Sequence, residues 1–279
     1  MNVKKVNYKD ANAPSEFTRS LKHTGFSVLT DHPIDKDLID TVYKEWADFF
    51  NSESKNKYLF NKLDQDGYFP FQTENAKGQA LKDLKEFYHI YLWGKYPKEI
   101  SSATRILFDQ LLDLTSTLLN WVQEETPNNI TSKFSMPLDR MIQDSKTNLL
   151  RIIHYPPLDG NEQKGEIRGA AHEDINLITV LVSGTQPGLQ VQDTDGSWHD
   201  VSCDPGCLAI NTGDMLQEAS GGYYPSTTHQ VINPSGVISN VSRYSMPLFL
   251  HPRDTIQLSD GYTARQYLDE RLTEIGLKE

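Results

Sequence analysis

The chain has 279 residues, of which 37% are hydrophobic and 10% aromatic, and its 27 Lys+Arg against 38 Asp+Glu give a formal charge of −11. Such a chain can bury a sizeable core, which excludes a disordered protein. The negative charge, with no run of Lys or Arg, excludes a general binder of nucleic acid or anionic lipid.

In chain order, Met1 to Lys5 give a basic start with no apolar segment behind it, so no secretory signal is read and a cytoplasmic protein is expected. Asp35 is a candidate N-cap. Behind it Leu38, Ile39, Val42, Tyr43, Trp46, Phe49 and Phe50 recur at three- and four-residue steps, which predicts a helix. Ile106, Leu107, Leu111, Leu114, Leu118 and Val122 predict a second one, ending before Pro127. Residues 1–130 are therefore expected to be a mainly helical part.

From Asn148 the texture changes to short apolar runs at 149–153, 177–182, 188–191, 206–210, 229–232 and 243–250, broken by Pro, Gly, Asn and Asp. Short strands without helix-length spacers predict a β-sandwich or jelly roll over 148–255 rather than a parallel α/β sheet. The run Leu177 to Val182 is far below the roughly 20 residues of a membrane span. Cys203 and Cys207 flank the turn Asp204-Pro205-Gly206 at a spacing that is neither a zinc knuckle nor a redox pair, and both are expected as reduced thiols. A short helix with Tyr267, Leu268, Leu272 and Ile275 on one side, capped by Gly276, is expected to close a single domain, 1–279.

His172 and Asp174 stand two apart in a segment that enters an apolar run, so on a strand they would share a face. His229 lies beside a second alternation. Two imidazoles and one carboxylate around a metal with open positions suit non-haem Fe(II) and its reaction with O₂. With 8 His and 23 Asp in the chain, a His-x-Asp pair arises by chance about 0.7 times, so context must decide. Arg243 and Ser245 supply it: they would share a strand face, and an Arg fork plus a hydroxyl is a receptor for a carboxylate. No Gly-rich phosphate loop occurs.

These residues stand in a co-linear series: Asn148 through Tyr155-Pro156-Pro157, His172-x-Asp174, Leu177-x-Thr179-x-Leu181, Gly188-Leu189-Gln190-Val191, Asn211-x-Gly213-Asp214, His229-x-Val231 and Arg243-x-Ser245. Gly25-Phe26, Phe49-Phe50, Gly67-Tyr68 and Lys85-Glu86-Phe87 precede them in order. The series resembles the isopenicillin N synthase-like family of iron- and 2-oxoglutarate-dependent oxygenases over most of the chain. The resemblance implies a mainly β fold, a double-stranded β-helix (jelly roll) with flanking N-terminal helices and a short C-terminal helix. It also implies His172, Asp174 and His229 as Fe(II) ligands, and Arg243 and Ser245 as the site of the distal carboxylate of 2-oxoglutarate. Tyr155 sits at a cosubstrate or substrate contact. The implied function is oxidation, chiefly hydroxylation, of a small organic molecule with O₂, with ascorbate as a candidate external reductant.

Gln230 stands where many relatives carry Arg, and Glu173 where Thr is common; neither is a ligand position. Arg168, Glu173, Tyr223 and Tyr224 are candidate substrate contacts. His23, His32, His89, His154, His199 and His251 are assigned to structure. The alternatives are a 2-oxoglutarate-independent oxidase of the same fold, a silent ligand-binding jelly roll and a zinc hydrolase, the last lacking a separate general base. Oligomeric state stays open.

Overall fold

The computed structural model describes residues 1–74, 81–202, 204–234 and 241–274; Cys203, Ile275 and Gly276 lie outside them. Lys5–Asn7 (β1) leads to Ala13–Thr24 (α1), Phe26–Thr30 (β2) and Lys36–Phe50 (α2). Helix α2 starts as expected: the Asp35 carboxylate accepts from the Asp37 amide at 3.0 Å, and Ile39, Val42, Trp46, Phe49 and Phe50 are buried. A 3-10 helix at Glu53–Tyr58 precedes Gly67–Phe69 (β3) and Glu86–Ile90 (β4). Ala103–Glu125 (α3) then runs to the residues before Pro127, and Asn128–Thr131 (α4) and Leu138–Ile142 (α5) complete this part. It is thus less helical than the periodicity implies, because β1 to β4 belong to the largest sheet. They are three to five residues long and mostly buried on both faces, too short to show a two-residue alternation.

The remaining strands are Leu149–Tyr155 (β5), Gly169–His172 (β6), Ile178–Val182 (β7), Leu189–Gln192 (β8), Trp198–Asp200 (β9) and Leu208–Thr212 (β10), then His229–Val231 (β11), Arg243–Leu250 (β12), Gln257–Ser259 (β13) and Tyr262–Thr263 (β14). Asp214–Ser220 (α6) follows β10, and Ala264–Glu274 (α7) closes the described chain where the terminal helix was expected. The strands build an eight-stranded sheet, β1-β2-β10-β7-β12-β5-β4-β3, and a four-stranded sheet, β6-β11-β8-β9. Apart from β1 against β2, the pairings of the named strands are antiparallel. This is the mainly β, jelly-roll architecture that the short runs predict.

Period two in β12 divides the molecule. Tyr244, Met246, Leu248 and Leu250 join the core that holds the helices, with Trp46, Phe108 and Leu111. Arg243, Ser245, Pro247 and Phe249 face a cavity between the sheets. Strand β5 does the same, with Leu150 and Ile152 toward the helices and Arg151, Ile153 and Tyr155 toward the cavity. Helices pack on the outer face of the large sheet while its inner face carries polar side chains. No helix among the described residues is long and apolar enough to cross a membrane.

Candidate active site

The four-stranded sheet contributes the two histidines. His172 ends β6, His229 opens β11, and the two are direct cross-strand partners. Asp174 does not share their sheet, as the strand reading supposed: β6 stops at His172 and Asp174 sits in the loop beyond. The loop is pinned by the Asp214 amide, which donates to the Asp174 carbonyl at 2.8 Å. Thr179 Oγ1 and Asn211 Nδ2, both from the large sheet, donate to Asp174 Oδ2 at 2.5 and 2.8 Å. Oδ1 is left 3.7 Å from Nε2 of each histidine, and the three candidate ligand atoms lie within 4.8 Å of one another.

Each imidazole is oriented by a backbone carbonyl at Nδ1, Ala170 at 2.8 Å for His172 and Thr227 at 3.1 Å for His229. Nδ1 is then the protonated nitrogen, and Nε2 keeps its lone pair for a metal. Burial, aided by His229 and opposed by Asp174, pulls His172 down to about 4, so the ring is neutral at neutral pH. Burial pushes the Asp174 carboxyl up, but the two histidines and the Thr179 and Asn211 bonds outweigh it and keep it below the usual carboxylate range. Two imidazoles with their Nε2 atoms turned to one point and an ionised carboxylate fit Fe(II).

The large sheet contributes the opposite wall. Arg243 pairs across the ladder with Tyr155, and Ser245 with Ile153. Both Arg243 and Ser245 are 2% exposed, Arg243 Nη1 donates to Ser245 Oγ at 3.1 Å, and Nε donates to the Gln186 carbonyl at 3.0 Å. The guanidinium lies 5.0 Å from the centre of the Tyr155 ring. The structure thus brings together His172, Asp174 and His229 on one side and Arg243, Ser245 and Tyr155 on the other.

The four candidate substrate contacts do not line this cavity. Tyr224 is fully buried against the helices with its hydroxyl on Thr126. Tyr223 packs edge-on against Tyr224 and under Lys22. Glu173 is exposed and accepts from Thr228. Arg168 is fully buried behind Tyr155, its guanidinium 6.0 Å from the ring centre.

The polar side chains that do line the cavity, beyond those named in advance as site residues, include Lys85 and Arg151. Lys85 Nζ stands 2.8 Å from Asp83 Oδ2 and 2.9 Å from Glu74 Oε2. Arg151 grips both oxygens of Glu74 at 3.2 and 3.4 Å and donates through Nε to His89 Nε2 at 2.8 Å. Its guanidinium also lies over the Phe87 and Phe249 rings. The signal available in the sequence was alternation, since Arg151 is in phase with Ile153 and Tyr155.

The sequence profile of the 2OG-Fe(II) oxygenase superfamily matches residues 146–252, and that of the non-haem dioxygenase in morphine synthesis N-terminal region matches 7–105. A crystal structure of a Shewanella oneidensis protein described as an oxygenase is 50% identical, with a TM-score of 0.91 over 99% of each chain. A Caulobacter crescentus protein of the 2OG-Fe(II) oxygenase family is 31% identical, with a TM-score of 0.82 over 98% of this chain and 99% of that one. Gibberellin 2-beta-dioxygenase 1 of Arabidopsis thaliana is 26% identical over 96% of this chain and 84% of its own length.

Proposed function

This chain belongs to the 2OG-Fe(II) oxygenase superfamily and is an Fe(II)- and 2-oxoglutarate-dependent oxygenase; on that premise we propose a role for each polar group of the cavity. His172, Asp174 and His229 hold the iron. Arg243, Ser245 and Tyr155 hold the distal carboxylate of 2-oxoglutarate. Bound there, Fe(II) and 2-oxoglutarate would supply O₂-dependent oxidation, one oxygen atom going to the cosubstrate, released as succinate and CO₂, and the other to the substrate.

The residues divide the remaining work. Asn211 and Thr179 occupy one oxygen of Asp174 and so present the other to the metal. Arg243, fixed by Ser245 and Gln186, sets where the cosubstrate ends and therefore which atoms of it reach the histidines. Ile153, Leu181, Leu189 and Val231 line the space between and exclude water. Arg151 stands four residues along β5 from Tyr155, about 13 Å at strand rise, and there the Lys85–Glu74–Arg151 network offers both signs of charge to a small polar substrate. The reaction class proposed is hydroxylation of that molecule.

The single observation that carries this reading is the placement of an ionised carboxylate and two oriented imidazoles across one cavity from a buried Arg-Ser pair that has no acidic partner among the described residues. Anaerobic titration of the metal-free protein with Fe(II) and then 2-oxoglutarate tests it. The visible band of a 2-oxo acid chelated to iron should appear, and Asp174→Ala should abolish iron binding while the thermal melt shows a folded chain. Iron binding retained in Asp174→Ala would overturn the ligand assignment.

A further inference from the structure

We propose that Arg168 is a positioning residue for the cosubstrate: an uncompensated positive charge behind Tyr155 that acts with Arg243 to select an acid bearing a distal carboxylate. The inference rests on the assignment of Arg243 to that carboxylate. It starts from an unequal distribution of counter-charge around the cavity. Lys85 and Arg151 are neutralised by Asp83 and Glu74. Arg243 and Arg168 have no carboxylate within ion-pair distance among the described residues, and their guanidiniums lie over the Tyr155 ring, 5.0 and 6.0 Å from its centre.

Arg168 is 0% exposed. Its Nη2 donates to the Val241 carbonyl at 3.0 Å and reaches the Pro156 carbonyl at 3.5 Å, while Nε and Nη1 find no acceptor among the described residues. Buried donors without acceptors and buried charges without partners are both costly, and a core that needed only a strut at Val241 would be served by a neutral side chain. Two guanidiniums flanking one tyrosine ring repel each other until an anion arrives. A carboxylate on Arg243 supplies that anion without having to touch Arg168, because charges several ångströms apart in a low-dielectric interior interact strongly and are little screened by salt. Arg168 is absent from the cavity wall, so its effect is through space.

The test compares 2-oxoglutarate with 2-oxobutyrate, which has the 2-oxo acid end but no distal carboxylate. Dissociation constants are measured anaerobically by calorimetry on the Fe(II)-loaded enzyme, its Arg168→Gln variant, which keeps a donor for Val241 but no charge, and its Arg168→Lys variant, which keeps the charge. Arg168→Gln should weaken 2-oxoglutarate about tenfold or more and 2-oxobutyrate by less than about threefold, at low and high salt alike. Arg168→Lys should restore most of the selectivity. Equal weakening of both acids, or a Lys variant no better than Gln, would make Arg168 a structural strut and end the proposal. Should Arg168→Gln not fold, Arg168→Lys decides alone: selectivity near that of the parent supports the charge, and collapsed selectivity overturns it. A parent enzyme that binds both acids equally would instead overturn the role of Arg243.

Discussion

A methyl group at Gly184 would sit 2.7 Å from Arg243 Nη2 and 2.9 Å from its Cζ, so the guanidinium occupies space that only glycine leaves open. Gly184→Ala should therefore raise KM for 2-oxoglutarate by about tenfold through a displaced fork, with kcat at saturation near the parent value; a shift of one or two ångströms at a bidentate site is worth about that much. Steady-state succinate release against cosubstrate concentration reads the split, and an unchanged KM would show that Arg243 yields without loss. At the other wall, Asn211→Leu removes one of the two donors that hold Asp174 Oδ2. Iron affinity should drop by about 10- to 100-fold, the usual cost of losing a group that orients a ligand. Competition with a chelator measures it, and an unaltered affinity would leave Thr179 as the sole orienting donor.

Among elements, the joint between the 3-10 helix and β4-β5 is ionic. Glu86, 4% exposed, accepts from Lys55 at 2.9 Å, from His154 Nδ1 at 2.7 Å and from the Tyr68 hydroxyl. Glu86→Ala strips three donors of their acceptor and should destabilise the fold by roughly 3 kcal/mol, read as a lower denaturant midpoint. How much of this was legible depends on the element. Helices α2 and α3 announce themselves because each buries one stripe at helical spacing. Strands β7, β8, β10, β11 and β12 do so as apolar runs between breakers. Strands β3 and β4 are short and buried on both faces, so no contrast marks them. Asp174 was legible as a ligand candidate but not as a loop residue, since a two-residue spacing does not reveal where a strand ends. The Glu74–Lys85–Arg151–His89 network was illegible because its members stand up to 77 residues apart, and its one pair on facing strands, His89 and Arg151, meets through the β4–β5 register.

For the molecule as a whole, acid should act in two stages. Burial holds the His89 imidazole well below its ordinary value and lowers His251 to about 4. The unfolded chain, titrating near 6.5, then takes up protons that the fold refuses, so stability falls as pH drops from about 6.5 to about 4. Glu74, Glu86 and Asp174 are held below the ordinary carboxylate range. Their contribution is full above about 4 and disappears as pH falls through their folded values, which makes the second stage steeper. Denaturant midpoints of the metal-free protein from pH 8 to 3 would show it, and a midpoint that rises between pH 6.5 and 5 would contradict it. The order of the large sheet also sets a timetable for synthesis. Strand β2 pairs with β10, about 180 residues later in the chain. At about 5–20 residues per second, a ribosome leaves Phe26 and Val28 without that neighbour for on the order of 10–40 s. His229 and Arg243 emerge later still. The nascent chain must therefore carry an apolar strand with β1 on one edge and its other edge open through most of its translation, and a chain cut short before residue 208 lacks both the sheet partner and the half of the site that His229, Arg243 and Ser245 supply.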